Sequence, residues 1–336
     1  MSGQTSGRGP TRRDLLGAGA GLSLLGAAAR TAAQPAFPTR PIRLVVSFAP
    51  GGSSDALARI VAANLGRHLG QSVVVENRPG AGGTLGMAQV SRGDADGYTI
   101  VQGTAGTVAL TPLLMTPPPY DAMQAFAPLG FVASDSNGVF VNPAVPARTM
   151  DELAAWVRAQ GRAVPFASSG VATPGHLGLE LFARARGLNM EHVPYRGAAP
   201  ALTDVVAGTA PMIFTSLIVG RAMADAGRLR LLAVSARERV PEYPDVPTLR
   251  EAGLAEMEVP IWFGYFAPPA TPRPVVERYH AALTAMLRDP AFIAELRTQM
   301  MEAFPADQRL DAAPAFVAGT IADVRRMIAT TGVTMP

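Results

Sequence analysis

Two short stretches of the sequence, Pro50-Gly51-Gly52-Ser53 and Ser169-Gly170 through Thr173, carry groups suited to holding an anionic oxygen. Each offers glycine N–H groups, side-chain hydroxyls and the start of a helix, a combination that receives a carboxylate without a lysine. Taken singly, either stretch reads equally as a glycine turn followed by a Ser or Thr cap. Their recurrence at corresponding places in two halves of the chain favours the binding reading. Residues bordering these turns complete the candidate site: Phe48 before the first, Thr104 and Ala105 after a third strand, Ser168 before the second, and Thr215 after a later strand.

Four further side chains have two readings each. Asp55 either caps and charges the first turn of its helix or touches the ligand. Arg196 either neutralises a second carboxylate or stays solvated in its turn. Tyr195 is cleft wall or core, and Asp204, in the middle of a predicted helix, lines the cleft or serves as a solvated or capping group.

Other chemistries lack their residues. The 336-residue chain contains no Cys, which removes thiolate nucleophiles, Cys-ligated zinc and iron–sulfur clusters. All 29 basic residues are Arg, so a Walker A lysine, a kinase lysine and a Schiff-base lysine are equally absent. No Gly-x-Ser-x-Gly elbow occurs. His68, His176, His192 and His280 form no i,i+4 pair, leaving no metal motif, and a structural hydrogen bond is expected of His176. Gly80-Ala81-Gly82-Gly83-Thr84-Leu85-Gly86 follows a strand, but Leu85 stands where a dinucleotide loop needs its third glycine. Neither a metal nor a cofactor is expected.

The elements that must position the two turns read as an α/β pattern. With 48% hydrophobic residues the chain can bury the cores of two medium domains. Strands are predicted at 42–48, 73–76 and 98–101, with a helix after Asp55 and a Gly-started helix over 82–92. A second unit begins after Val139-Phe140-Val141, with a helix through Leu153 and Trp156 capped near Thr149 and Glu152. Its strands are predicted at 164–167, 192–194, 212–214 and 229–235, and its helices run to Arg186 and over 198–207. The chain after Phe266 reads as mainly helical from Pro274 to Thr330 and is expected to pack back on the first unit. That gives one lobe from 38–137 plus 240–336 and another from 138–239, joined by two crossings with a cleft between them. Trp262 and Phe263 are assigned to the return crossing.

The charge is concentrated in the leader. Residues 1–33 hold Arg8, Arg12, Arg13 and Arg30 against Asp14, which accounts for the whole net charge of +3. The remainder has no basic run, so no nucleic-acid surface is expected. Thr11-Arg12-Arg13-Asp14-Leu15-Leu16, a weakly apolar stretch and small residues near Ala33 read as a twin-arginine or Sec signal peptide, and hence as export to the periplasm. The alternative is a retained anchor, although the apolar run falls short of the roughly 20 residues that span a bilayer.

The same residues resemble a family. Phe48-Ala49-Pro50-Gly51-Gly52-Ser53-Ser54-Asp55, Glu76-Asn77-Arg78-Pro79-Gly80-Ala81-Gly82-Gly83, Asp96-Gly97-Tyr98-Thr99, Thr173-Pro174-Gly175-His176, Val193-Pro194-Tyr195-Arg196-Gly197 and Pro244-Asp245-Val246-Pro247-Thr248 occur in the order found in Bug-type solute receptors of tripartite tricarboxylate transporters. The resemblance covers the chain after the leader. It implies a type II periplasmic-binding-protein fold, a small carboxylate captured by hinge closure, and delivery to membrane permease subunits; a monomer is expected. There are departures: Ala49 replaces a Pro, Ala172 replaces a usual Gly, and Thr215-Ser216 stand where relatives often carry Asp-Asn. If that acid pairs with a ligand ammonium in relatives, its loss argues against an amino-acid ligand. A ligand sensor that signals without transport, and more distantly an exported enzyme, remain as alternative readings.

Overall fold

The computed structural model describes residues 1–4, 37–259 and 261–331, so the expected signal peptide lies, beyond its first four residues, outside the described residues. The chain divides into units Met1–Thr39 and Arg40–Pro336. The second unit opens with β1 (Ile42–Val46), whose residues are buried except for Arg43, as expected of a central strand covered on both faces. Helix α1 (Ser53–Leu69) follows, seating Leu57, Val61 and Leu65 inward and ending at Gly70 in the left-handed region. After β2 (Val73–Asn77), a single 3-10 turn over Ala81–Gly83 precedes α2 (Thr84–Ser91). The expected helix start at Gly82 is therefore corrected to Thr84, because Gly82 has φ 63° and cannot begin a right-handed helix. Strand β3 (Thr99–Thr104) runs into a π-helical turn and the short α3 (Thr111–Leu114).

Strands β4 (Ala127–Ser134) and β5 (Asn137–Val141) are separated by two residues only. Helix α4 (Met150–Ala159) is capped by Thr149, which accepts from the Glu152 N–H; Glu152 reaches back to the Arg148 N–H at 2.6 Å. There follow β6 (Val164–Ser168), α5 (Pro174–Arg186), β7 (Met190–Pro194), α6 (Ala198–Ala207), β8 (Met212–Ser216), α7 (Leu217–Asp225) and β9 (Arg230–Val234). The last third contains β10 (Trp262–Ala267), α8 (Arg273–Leu287), α9 (Pro290–Thr298), the two-residue β11 (Glu302–Ala303) and α10 (Ala313–Thr331).

Two sheets result, ordered β11-β4-β10-β3-β1-β2 and β7-β6-β8-β5-β9. In each, three parallel strands are joined by an antiparallel strand that enters straight from the other lobe: β10 beside β3, and β5 beside β8. Trp262 and Phe263 thus begin a buried strand, which corrects their assignment to the crossing. Strands β4 and β10, unread in the sequence, pair antiparallel with each other in the larger sheet, and the short β11 adds to β4 in the same sense. The C-terminal helices do pack back on that sheet. Tyr279 on α8 donates to the Gly97 carbonyl at 2.7 Å, and Trp262 Nε1 donates to Thr320 Oγ1 on α10 at 3.3 Å.

Candidate functional site

The carboxyl ends of the parallel strands in both sheets meet around one cavity of about 80 Å³. A single water needs roughly 10–15 Å³ of such space, so a small organic acid fits. This is the crevice where open α/β sheets place ligands. From the larger-sheet lobe the wall takes Phe48, Gly52, Ser53, Ser54, Thr104 and Ala105, and from the smaller-sheet lobe Ser169, Gly175, Phe214, Thr215 and Ser216. Asp135 and Asn137, from the two-residue crossing and the start of β5, and Ile261 and Phe263 from the return chain close the hinge side.

Each turn is held by its own hydrogen bonds. Asp55, buried in the first turn of α1, accepts from the Gly51 N–H at 3.0 Å, the Asn77 amide at 3.0 Å and Arg59. Burial opposes ionisation of that carboxyl, but the bonds from Arg59, Gly51 and Asn77 outweigh it and hold the carboxyl below its ordinary value. Asp55 fixes the turn and does not line the cavity. Asp55→Ala is expected to cost about 2 kcal/mol at neutral pH, since the buried carboxylate's charge-assisted bonds from the Gly51 N–H, the Asn77 amide and Arg59 are lost together. Because the folded-state value is depressed, that contribution is present above the ordinary value of 3.8 and vanishes as pH falls through the folded one. Urea midpoints of variant and wild type should therefore converge in acid; equal midpoints at pH 7 would refute the role.

In the second turn, Ser168 Oγ accepts from the Gly170 N–H at 3.1 Å and lies 2.6 Å from His192 Nε2. Thr173 caps α5 and donates to the Gly170 carbonyl at 2.8 Å. Both side chains are fully buried and shape the loop without lining the cavity. The His176 and His192 rings stack with centroids 3.4 Å apart, and His176 Nδ1 accepts from the Ala172 N–H. Burial, then the neighbouring His176, pushes the His192 imidazole down to about 3, so it is neutral at pH 7. Ala172 itself sits at φ 56°, the left-handed conformation that favours glycine, which gives a physical reason for the expectation of a Gly here.

The remaining candidates are distributed differently. Tyr195 and Arg196 border a second hollow at the mouth with Phe48, Ser169 and Gly170. Tyr195 donates to Asp204 Oδ2 at 2.6 Å, which pins α6 to the end of β7 and leaves Asp204 off both walls. Pro50 and Gly51 stand exposed at the loop tip, with Gly51 facing Ala199. Thr104 Oγ1 accepts from the Thr107 N–H at 3.1 Å and so serves its turn as well as the wall. Across the mouth, Thr111 Oγ1 donates to the Ala172 carbonyl at 2.7 Å and joins the two lobes.

Sequence reasoning missed Asp135, Asn137, Ile261 and Phe263. The signal for the first pair was the polar run Ser134-Asp135-Ser136-Asn137 between two apolar strands. Asp135 bears on the expectation drawn from Thr215-Ser216: an acid does border this corner, supplied by the crossing beside Ser216. Among the described residues, Asp135 is the one lining residue with an ionisable side chain, and no basic residue lines the cavity. Among the described residues there is no cluster able to hold a metal, and no helix is long and apolar enough to cross a membrane.

Comparison with known proteins gives a consistent set. The family model described as "Tripartite tricarboxylate transporter family receptor" matches residues 57–333. A UPF0065 protein from the tcbD-tcbE intergenic region of Pseudomonas sp. (strain P51) is 37% identical over 287 residues, 85% of each chain. The solved periplasmic binding protein BugD is 33% identical with a TM-score of 0.83, over 89% of this chain and 99% of its own. R. palustris Rpa4515, solved with adipate, is 32% identical with a TM-score of 0.83 over the same shares, 89% and 99%.

Proposed function

The chain belongs to the tripartite tricarboxylate transporter receptor family, whose members are periplasmic solute-binding proteins, and from that premise we propose that it captures a small carboxylate between its lobes and delivers it to a membrane permease. The observation that carries this reading is the cavity, built from the strand ends of both lobes, so that one ligand touches both at once. The first N–H groups of α1, and at the start of α5 that of Gly175, since Pro174 has none and Thr173 accepts from His176, have no partners within their own helices and supply fixed donors for carboxylate oxygens. Gly52, Ser53 and Ser169 stand where those donors meet the cavity. A ligand bridging the lobes selects the closed arrangement, which Thr111 and Ala172 brace from outside. In this reading one lobe spans 38–137 with 240–336 and the other 138–239, the leader exports the chain to the periplasm, and the receptor acts as a monomer without cofactor or catalysis.

The test is a thermal-shift screen of ligand-free protein against di- and tricarboxylates, aromatic acids and amino acids. An acid present at 100 times its dissociation constant adds about 2.7 kcal/mol and moves the melting point by a few degrees. A rise confined to one carboxylate class identifies the ligand chemistry; no rise with any acid overturns the receptor reading.

A further inference from the structure

Among the described residues, one ionisable side chain, that of Asp135, lines the cavity. Asp135 is 9% exposed and sits in the two-residue crossing between β4 and β5, with its N–H directed to the Ile261 carbonyl at 3.4 Å. Its Oδ1 accepts from the Ser136 N–H at 2.7 Å, whereas Oδ2 is buried without a hydrogen-bond partner. Ser216 Oγ, at the end of β8 on the same wall, is also buried and unpartnered; it lies near the carboxyl but short of hydrogen-bond geometry. At this corner of the cavity the two buried oxygens have no partner beyond each other, which leaves acceptor and donor capacity for a polar ligand atom, since such groups are otherwise fully paired.

The charges around Asp135 decide which form of it meets that atom. Strands β4, β5, β8 and β10 carry no charged residue. On the neighbouring elements, Glu302 of β11 is exposed, Arg221 and Asp225 of α7 pair with each other at 3.4 Å, and Glu258 pairs with Arg250. Asp55, beyond Ser53 and Ser54, is committed to Arg59. An ionised Asp135 would thus face an anionic ligand with no cation to offset either charge, and two adjacent carboxyls in that situation share a proton.

Resting on the carboxylate-receptor reading, we propose that Asp135 is a ligand-binding and specificity residue: in its protonated form it donates a hydrogen bond to an oxygen of the bound acid, with Ser216 as second donor, so that capture takes up a proton. Burial pushes this carboxyl up to about 7, against the smaller pull of Ser216 and the Ser136 N–H, so the protonated form is available at neutral pH. The favoured ligand is a carboxylic acid with an acceptor oxygen at its far end, such as a diacid, and a ligand ammonium is disfavoured at this corner.

The experiment is calorimetric titration of full-length mature protein with adipate and with succinate at pH 6.5 and 8.5, in buffers of different ionisation heat, alongside Asp135→Asn and Asp135→Leu. Only the protonated fraction binds, so a group titrating near 7 makes wild-type affinity fall about twentyfold over that range, with net proton uptake approaching one at pH 8.5. Asp135→Asn keeps a donor and should bind with no such pH dependence, whereas Asp135→Leu should bind weakly at both pH values. Because the other titrating groups are shared by wild type and Asp135→Asn, the difference between them isolates Asp135. Diacid binding with a flat wild-type profile overturns this inference alone. Affinity that rises with pH, or that appears only for amino acids, overturns it in favour of an ionised carboxylate facing an ammonium. Binding of neither diacid nor any acid of the screen overturns the receptor reading and this inference together.

Discussion

Gly82→Val is expected to lower affinity for the ligand by at least about a hundredfold, or ~2.7 kcal/mol, while both sheets stay folded. Gly82 lies in the 3-10 turn before α2 and lines only the mouth hollow. Its φ of 63° is a conformation that costs a residue with a side chain roughly 1–2 kcal/mol. More decisive is the partner across the mouth: an added Cβ would stand 2.4 Å from the Val171 carbonyl oxygen, backbone of the opposite lobe. Neither backbone can yield by a rotamer change, so the lobes must separate at this edge and pull Thr111 away from Ala172. Calorimetric titration should show the loss, while melting without ligand should fall by only the few degrees that the left-handed backbone strain and the lost Thr111 bond account for, since no large core side chain is displaced. Affinity within threefold of wild type would show that binding does not need this contact, and would remove hinge closure from the mechanism.

The second large effect is expected at Gly178→Ala. Helix α5 rests on β8 through bare backbone, and a Cβ at Gly178 would lie 2.3 Å from Cδ1 of Phe214. That ring is 1% exposed and also forms part of the cavity wall next to Thr215. A methyl group with no room forces the ring or the helix aside at a cost of about 1–3 kcal/mol. For a chain of this size each kcal/mol lowers the melting point by roughly 2–4 °C. Ligand affinity should fall as well, since the displaced ring moves into or away from the site. Combining Gly178→Ala with Phe214→Leu should recover part of the lost stability, as neighbours that share one clash are not additive. A single variant melting within a degree of wild type would mean that α5 is free to shift, and that its seating does not set the site.

Much of this fold follows from local pattern. Strands β1, β6 and β8 are short apolar runs ending in glycine or hydroxyl residues, and the helices after them carry apolar stripes and cap signals such as Thr149 and Thr173. Those signals act within a few residues, which is why the two anion-suited turns and the α/β order are readable along the chain. Strands β4 and β10 are not marked in the same way. Ala127-Pro128 opens β4 and Gly130 has φ 156°, while β10 is an aromatic run whose neighbours, β3 and β4, lie more than a hundred residues away. Only pairing within the larger sheet makes either one a strand.

The division is the same at the site. The sequence by itself determined the chemistry available: no thiol, no lysine, hydroxyls and glycine amides at helix starts, and therefore neutral donors for an anionic oxygen. Tertiary structure decided which of those groups face the cavity. It turned Asp55, Ser168, Thr173 and Asp204 to the upkeep of loops and brought Ser53, Ser169 and Thr215 onto one wall. It also buried Asp135 near Ser216 on one cavity wall, although the two are far apart in the chain. The physical reason is that a hydrogen-bonding group takes whichever partner reaches it first, and reach across a cleft is set by how two sheets dock rather than by neighbours in the chain.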